Sequence, residues 1–342
     1  MPPTPQSVEQ LEDQLSSPPP SLIDHVKTIE GDFIFLGVGG KMGPTMIRMA
    51  KRAVDAAETG ARVIGVSRFS QPATRDQLHQ WGVETIACDL QSPAEISNLP
   101  QCTNVVYLAG FKFGTANTPS LTWVTNCLVP SYVCDHFRNS RIVALSSGNV
   151  YPMVAAETGG SVETDPPEPV GEYAMTTLGR ERIFQYFSES LGIPTSLLRL
   201  NYATELRYGV LVDIAQMVCQ EKPVDLTMSH VNVLWLADAN CLTLMAFSHC
   251  SSPASIINLA GGEILSVQEV ATSIGNIVGK QARFSGEPAP RSLLNNGHGG
   301  HQKLGQPLVS AEQMIRWTTE WVQQDGPSLD KPTHFQESKG SF

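Results

Sequence analysis

Several features are scarce in this chain of 342 residues. It has no uninterrupted apolar run near the roughly 18 residues needed to span a bilayer, so no membrane partner is expected. Basic arms and patches are missing too, and the formal net charge is -10, which argues against a nucleic-acid or anionic-membrane surface. The seven cysteines (88, 102, 127, 134, 219, 241 and 250) are odd in number and contain no Cys-x-x-Cys spacing. They read as reduced, mostly buried thiols of a cytosolic protein. The first twenty residues are rich in Pro, Ser and Gln and lack an apolar core flanked by basic residues, so they do not read as a signal peptide, and a cytoplasmic location is expected. No internal repeat is present. Residues 1–30 are expected to be a flexible extension with one short amphipathic turn near residues 8–15, and residues 326–342 a disordered tail.

What is present starts at residue 32. The apolar run Phe33-Ile34-Phe35-Leu36 meets Gly37-Val38-Gly39-Gly40-Lys41-Met42-Gly43, and residues 44–57 then carry apolar positions at helical spacing. The pattern predicts a strand, a tight glycine turn and a helix. Gly37 suits a sharp turn, Gly40 allows a pyrophosphate to approach the backbone, and Gly43 allows close packing of helix on sheet. The N-terminus of the helix that follows Met42 and Gly43 offers free N–H groups to an anion.

Further strands are predicted at residues 62–68, 84–88, 104–108, 141–145 and 194–200, separated by helices at 74–81, 124–137 and 172–190. This alternation predicts an α/β fold, a Rossmann-type doubly wound parallel sheet. After residue 200 the pattern is mixed, with helices near 209–219, 237–247, 266–278 and 310–323 and a strand at 254–259. A smaller mixed α/β C-terminal region follows from it. The expected division is a dinucleotide-binding domain over 31–200, with late strands contributed from the C-terminal half, and a region over 201–325, to which resemblance to a known family assigns the role of substrate domain.

The second strand ends in Ser67-Arg68 rather than in an acidic residue. A carboxylate there would accept from an adenosine ribose, whereas Ser67 and Arg68 suit a 2′-phosphate, and Lys41 adds a second positive charge. NADP is therefore the expected cofactor, with NAD the alternative. Asp89 and Leu90 follow the third strand, where Asp89 can meet an adenine edge. Leu108, Ala109 and Gly110 close the fourth strand and leave room for a cofactor.

Taken together, the segments over about 31–323 resemble the extended short-chain dehydrogenase/reductase family, of the NAD-dependent epimerase/dehydratase type. The resemblance is carried by Gly37-x-x-Gly40-x-x-Gly43, Asp89-Leu90, Leu108-Ala109-Gly110, Asn126, Ser146-Ser147-x-x-Val150-Tyr151, Tyr173 with Glu181, and Leu304-Gly305-Gln306-Pro307. It implies a bound dinucleotide, with Lys112, Asn126 and Ser146 among the residues around it. It also implies Tyr173 as acid/base and Ser147 as the hydroxyl that hydrogen-bonds the reacting oxygen. In the family a lysine four residues after the tyrosine lowers its pKa and holds the nicotinamide ribose. Thr177 stands there instead, and a neutral hydroxyl can hold a ribose but cannot stabilise tyrosinate.

Three readings follow from that departure. In the first, another cation substitutes, Lys112 or Arg180. In the second, Ser147 and a neutral Tyr173 carry a different proton transfer. In the third, the chain is a non-catalytic NADP-binding regulator or scaffold. The expected substrate is a sugar, sugar acid, nucleotide sugar or related carbonyl or hydroxyl compound, met by Asn149, Asn201 and Arg291. Arg199 reads as a structural ion-pair member and Glu181 as a helix-face charge beside Arg180 and Arg182. Trp317 and Trp321 read as packing residues. His298-Gly299-Gly300-His301 lies in a glycine-rich loop without further ligands, and no metal is expected. Members of the family often pair through Rossmann helices, which makes a homodimer an expectation here.

Overall fold

The computed structural model describes residues 3–112, 114–115, 117–338 and 340. Two helices come first, α1 (Val8–Leu15) and α2 (Pro20–Lys27). They are followed by the alternation β1 (Phe33–Leu36), α3 (Gly43–Ala56), β2 (Val63–Ser67), α4 (Pro72–Gln80), β3 (Glu84–Ala87), α5 (Pro93–Ile96) and β4 (Asn104–Tyr107). Next come α6 (Pro119–Trp123), a wide π-type turn at Val124–Leu128, α7 (Val129–His136), β5 (Arg141–Ser147), α8 (Gly171–Leu191) and β6 (Thr195–Leu200).

These six strands and the later strand Ser255–Leu259 form one parallel sheet of seven, in the order Ser255–Leu259, β6, β5, β4, β1, β2, β3. β1 and β4 are buried at every position, as expected of parallel strands covered by helices on both faces. The order of the chain reverses between β1 and β4, and the C-terminal ends of these two strands open a crevice at that switch point. The doubly wound α/β sheet expected from the alternation is therefore present.

The rest of the chain supplies α9 (Val210–Cys219), α10 (Leu236–Met245), α11 (Val267–Val278), α12 (His298–Leu304) and α13 (Ala311–Gln323). Helices α9, α11 and α13 pack around Trp235, Trp317 and Trp321, and the rings of Trp235 and Trp317 lie 5.4 Å apart. The tryptophans on α13 are thus packing residues. Residues 298–301, expected as loop, open α12; His301 Nε2–H donates to Ala260 O (2.9 Å), and His298 meets Gln302. Among the described residues no group of three His, Cys, Asp or Glu side chains could hold a metal. All seven cysteines are unpaired. Among the described residues no helix is long and apolar enough to cross a membrane.

Both termini depart from expectation. Residues 8–27 are two packed helices rather than a flexible extension. Leu11 and Leu15 are buried with α9 and α13, whereas Leu22, Val26 and Ile29 are buried against β1 and α3. Polar composition conceals this because each helix has just two buried side chains, and much of the anchorage of α1 is ionic: Glu12 meets Arg207 at 3.1 Å, and Asp13 pairs with Arg52. The expected disordered tail is likewise held over much of its length. Leu329 N–H donates to Arg207 O (3.0 Å), Thr333 donates twice to Asp213 (2.9 Å from N, 2.6 Å from Oγ1), and Phe335 is buried. Residues 339, 341 and 342 of that stretch, like residues 1 and 2, lie outside the described residues.

Leu11 and Leu15 are wholly buried, and removing such side chains costs about 2–5 kcal/mol. Leu11→Ala should therefore lower unfolding free energy by about 3 kcal/mol, whereas a flexible extension would show no change in a urea titration.

Candidate functional site

Two cavities of about 370 Å³ each lie at the switch point and share Gly37, Gly40, Leu108 and Gly110. The first runs outward past β2 and β3. Ser67 and Arg68 line it, together with Asp89, Leu90, Ala109 and Lys331. Asp89 Oδ1 accepts from Gln91 N–H (3.0 Å), and its own N–H donates to Glu95 (2.8 Å), which fixes the bend after β3. Arg68 is exposed at the cavity rim.

Space around the glycines tests whether a dinucleotide fits. Gly37 has φ +95°, and a Cβ there would stand 2.7 Å from Ala109 N. At Gly39 it would meet Ser67 Oγ at 2.6 Å, and at Gly43 the Val38 oxygen at 2.2 Å. Backbone atoms crowd Gly37 and Gly43, so those two positions admit no side chain, whereas at Gly39 only the rotatable Ser67 hydroxyl stands in the way. Gly40 differs, since its nearest neighbour would be Gly37 O at 3.7 Å and the position opens on both cavities. A bare backbone facing open space beside a helix N-terminus is what a pyrophosphate requires, and the residues present fit the group.

The second cavity lies toward the C-terminal part of the chain. Lys41, Met42 and Gly43 line it from the turn, and Lys112 from the stretch after β4. Ser146, Ser147 and Asn149 contribute from the end of β5, Tyr173 from α8, and Asn201 from the end of β6. Ser147 Oγ donates to Asn149 Oδ1 at 2.9 Å and accepts from Asn149 N–H at 3.2 Å, which fixes its rotamer. Lys112 Nζ lies 5.4 Å from the centroid of the Tyr173 ring. Burial pushes the Lys112 pKa down, and Tyr173 opposes that shift. Asn201 Nδ2 donates to Asn232 Oδ1 at 2.9 Å, so much of its hydrogen-bonding capacity is internal.

Several expected site residues fall elsewhere. Thr177, on α8, is wholly buried, its hydroxyl has no hydrogen-bond partner among the described residues, and it lines neither cavity. Asn126 also lines neither. It sits in the π-type turn, where all four of its hydrogen-bonding positions are used: Oδ1 accepts from Phe111 N–H (2.9 Å) and Arg180 (2.6 Å), and Nδ2 donates to Phe111 O (3.0 Å) and Thr176 (2.9 Å). It positions the segment that carries Lys112 and is not a wall of the cavity. Arg180 is occupied by that contact and by Leu145 O (3.0 Å), which leaves Lys112 as the cation beside Tyr173. Arg291 is exposed and outside both cavities. Lys41 faces the second cavity, its Nζ 3.3 Å from the centroid of the Tyr208 ring, and does not stand with Arg68. Glu181, expected as a surface charge, is fully buried against Arg199.

Sequence reasoning missed Tyr202, Tyr208 and Glu205, as well as Leu329 and Thr333 of the tail, all of which line the second cavity. One sequence signal existed for the first group: Tyr202 directly follows the Asn201 that the motif order picks out. The structure adds that Tyr202 adopts φ +42°, an uncommon backbone for a bulky residue.

Residues 36–203 match the model of the NAD dependent epimerase/dehydratase family. No curated protein matches the chain. Solved structures share the fold. UDP-glucuronic acid 4-epimerase from Bacillus cereus, in complex with NAD, superposes with TM-score 0.69 at 16% identity, over 87% of this chain and 99% of that one. UDP-glucose 4-epimerase from Thermotoga maritima, with UDP-glucose, gives 0.69 at 16%, over 86% and 99%. The dTDP-glucose 4,6-dehydratase DesIV from Streptomyces venezuelae, with NAD and TYD bound, gives 0.70 at 15%, over 86% and 97%.

The glycine geometry predicts a contrast. Gly40→Ala should fold with unchanged stability yet weaken dinucleotide binding at least about tenfold by calorimetry, because its methyl enters open space where the ligand passes. Gly43→Ala should destabilise the fold itself.

Proposed function

We propose that the chain is a nicotinamide-dinucleotide-dependent epimerase, dehydratase or oxidoreductase acting on a sugar-like substrate, with Tyr173 as its acid/base. The observation that carries this reading is the convergence of Tyr173, Ser147 and Lys112 on one cavity that continues into the glycine-turn cavity. The family match over 36–203 supports it, as do the NAD and nucleotide-sugar complexes of the structures that share the fold. Residues 31–200 would hold the dinucleotide, and residues 201–325 would cover the substrate.

The turn around Gly40 holds the pyrophosphate in this reading, with Asp89 and Leu90 beside the adenosine end. Ser67 and Arg68 at the end of β2, with no carboxylate between them, favour the 2′-phosphate of NADP. Lys41 drops out of that argument because it faces the other cavity. When bound, the dinucleotide supplies a hydride acceptor and donor. The chain's own residues do the rest. Tyr173 passes a proton at its phenol oxygen, and Ser147 Oγ hydrogen-bonds the reacting oxygen. The Lys112 ammonium beside the tyrosine ring supplies the positive charge that Thr177 cannot, favouring phenolate. Leu145, Leu200 and Leu236 line the cavity and exclude water. A second copy would cover Leu121 and Trp123 on α6 and Met175 and Tyr186 on α8, all exposed, which keeps the homodimer within the proposal.

Denaturing the purified protein and identifying the released nucleotide tests the cofactor, with NADP(H) expected and NAD(H) overturning the role given to Arg68. Tyr173→Phe should abolish turnover. Lys112→Met should move the tyrosine limb of the pH–rate profile alkaline by about one unit, since loss of a neighbouring cation raises a phenol pKa. An unmoved limb would return the proton transfer to a neutral tyrosine, and bound nucleotide with no turnover on a broad panel of carbonyls and sugars would make the chain a regulator.

A further inference from the structure

Every second residue of one stretch of the tail meets the crevice. Leu329 and Thr333 line the second cavity and Lys331 the first, whereas Asp330 and Pro332 between them are exposed and line neither. Leu329 and Lys331 are exposed as well as lining, so the stretch is an outer rim of the crevice and not part of the core. Lys331 shares its cavity with Asp89 and with Gly37, Gly39 and Gly40 of the glycine turn. Its charge also acts on Lys41 in that turn, whose pKa is lowered first by burial and then by the charges of Lys112 and Lys331. These two observations put Lys331 on the glycine-turn side of the cavity, where Gly40 leaves open space for a pyrophosphate.

The stretch is held at few points. After α13 it contains no helix or strand among the described residues. Before Lys331, Leu329 N–H donates to Arg207 O (3.0 Å); after it, Thr333 donates from N and Oγ1 to the Asp213 carboxylate, and Phe335 is buried. Neither Asp213 nor Phe335 lines either cavity, so the anchor is separate from the site. Asp325, Asp330 and His334 adopt φ of +52°, +50° and +53°, a backbone that persists where surrounding contacts impose it. A segment with so few contacts opens at low free-energy cost.

We propose that residues 326–338 are a strap over the dinucleotide site: Lys331 binds the diphosphate of the dinucleotide, and the strap, pinned to Asp213, swings away to let the dinucleotide in and out. This rests on the dinucleotide-dependent reading given above. A lysine suits the place, because an ammonium on a long flexible stem meets a phosphate as a point charge and needs no fixed fork. The alternation along the stretch then has a use, since the residues that line the cavities are carried on a backbone fixed at Arg207 and Asp213, on either side of Lys331.

The test mixes the full chain with NADPH or NADH and follows the fluorescence of the reduced nicotinamide, which gives affinity and both rates. Lys331→Met should weaken binding at least about tenfold, and Lys331→Arg should stay within about threefold of the unaltered chain. Unchanged affinity in Lys331→Met overturns the phosphate contact. A loss with NADPH beside unaltered NADH affinity overturns it too, moving the contact to the 2′-phosphate. Asp213→Ala and Thr333→Val loosen the anchor and should raise the association and dissociation rates together, the first by about tenfold. Unchanged rates, or faster dissociation alone, overturn the strap. In the unaltered chain, amide exchange over 326–338 should slow at least about fivefold when the dinucleotide is bound. Equal exchange with and without it overturns the strap even if the anchor variants fail to fold. If the unaltered chain binds neither NADPH nor NADH, the dinucleotide reading beneath the proposal falls and takes the strap with it.

Discussion

One buried ion pair stands behind the whole site. Arg199 on β6 and Glu181 on α8 are 2% and 0% exposed, joined by two hydrogen bonds of 3.0 and 2.7 Å. Burial alone would lower the arginine pKa, but the hydrogen bond and charge of Glu181 more than offset that and raise it. Arg199 Nη1 also donates to Tyr151 OH (2.7 Å), which donates to Asn258 Oδ1 (2.9 Å), and Ser146 Oγ donates to Glu181. The register explains the geometry, for Ser146 and Asn258 are the Cα neighbours of Arg199 on the strands either side. Losing one partner of such a pair costs about 3–5 kcal/mol, because the other charge is left buried and unpaired. Ser146 and Ser147 therefore present their face to the cavity from a backbone that the network holds rigid.

A second constraint is the crowding of the glycine turn. Backbone crowding at Gly37 and Gly43 admits no side chain and sets the packing of α3 on the sheet, whereas Gly40 between them faces the space that the two cavities share. The turn also aims Lys41 away from the strand ends β2 and β3 and toward Tyr208. Both cavities carry charges of both signs: Arg68, Lys331 and Asp89 line the outer one, and Lys41, Lys112 and Glu205 the inner one.

Much of the fold was legible because parallel strands announce themselves as short apolar runs between amphipathic helices, and every strand of the central sheet appeared so. Strand-end positions could be named from the order of motifs alone. Other features depend on contacts between distant segments. The partner of Glu181 lies eighteen residues away on another element, and adjacent arginines in sequence suggested a surface pairing instead. The direction of Lys41 is set by rotation of the backbone through the turn, which composition does not encode. Helices α1 and α2 and the segment around Thr333 each bury only a few side chains, so polar residues dominate their sequence even though they are packed.

The seventh strand, Ser255–Leu259, is contributed from far beyond β6, and it carries Asn258 into the buried network. During synthesis, β6 therefore emerges with one edge bare and with Arg199 lacking part of its surroundings until some sixty residues more have been made. A bare parallel edge is a template for pairing with other chains. The parallel sheet is not a unit that can be cut free at residue 200, and a vulnerable interval during biosynthesis is built into the topology.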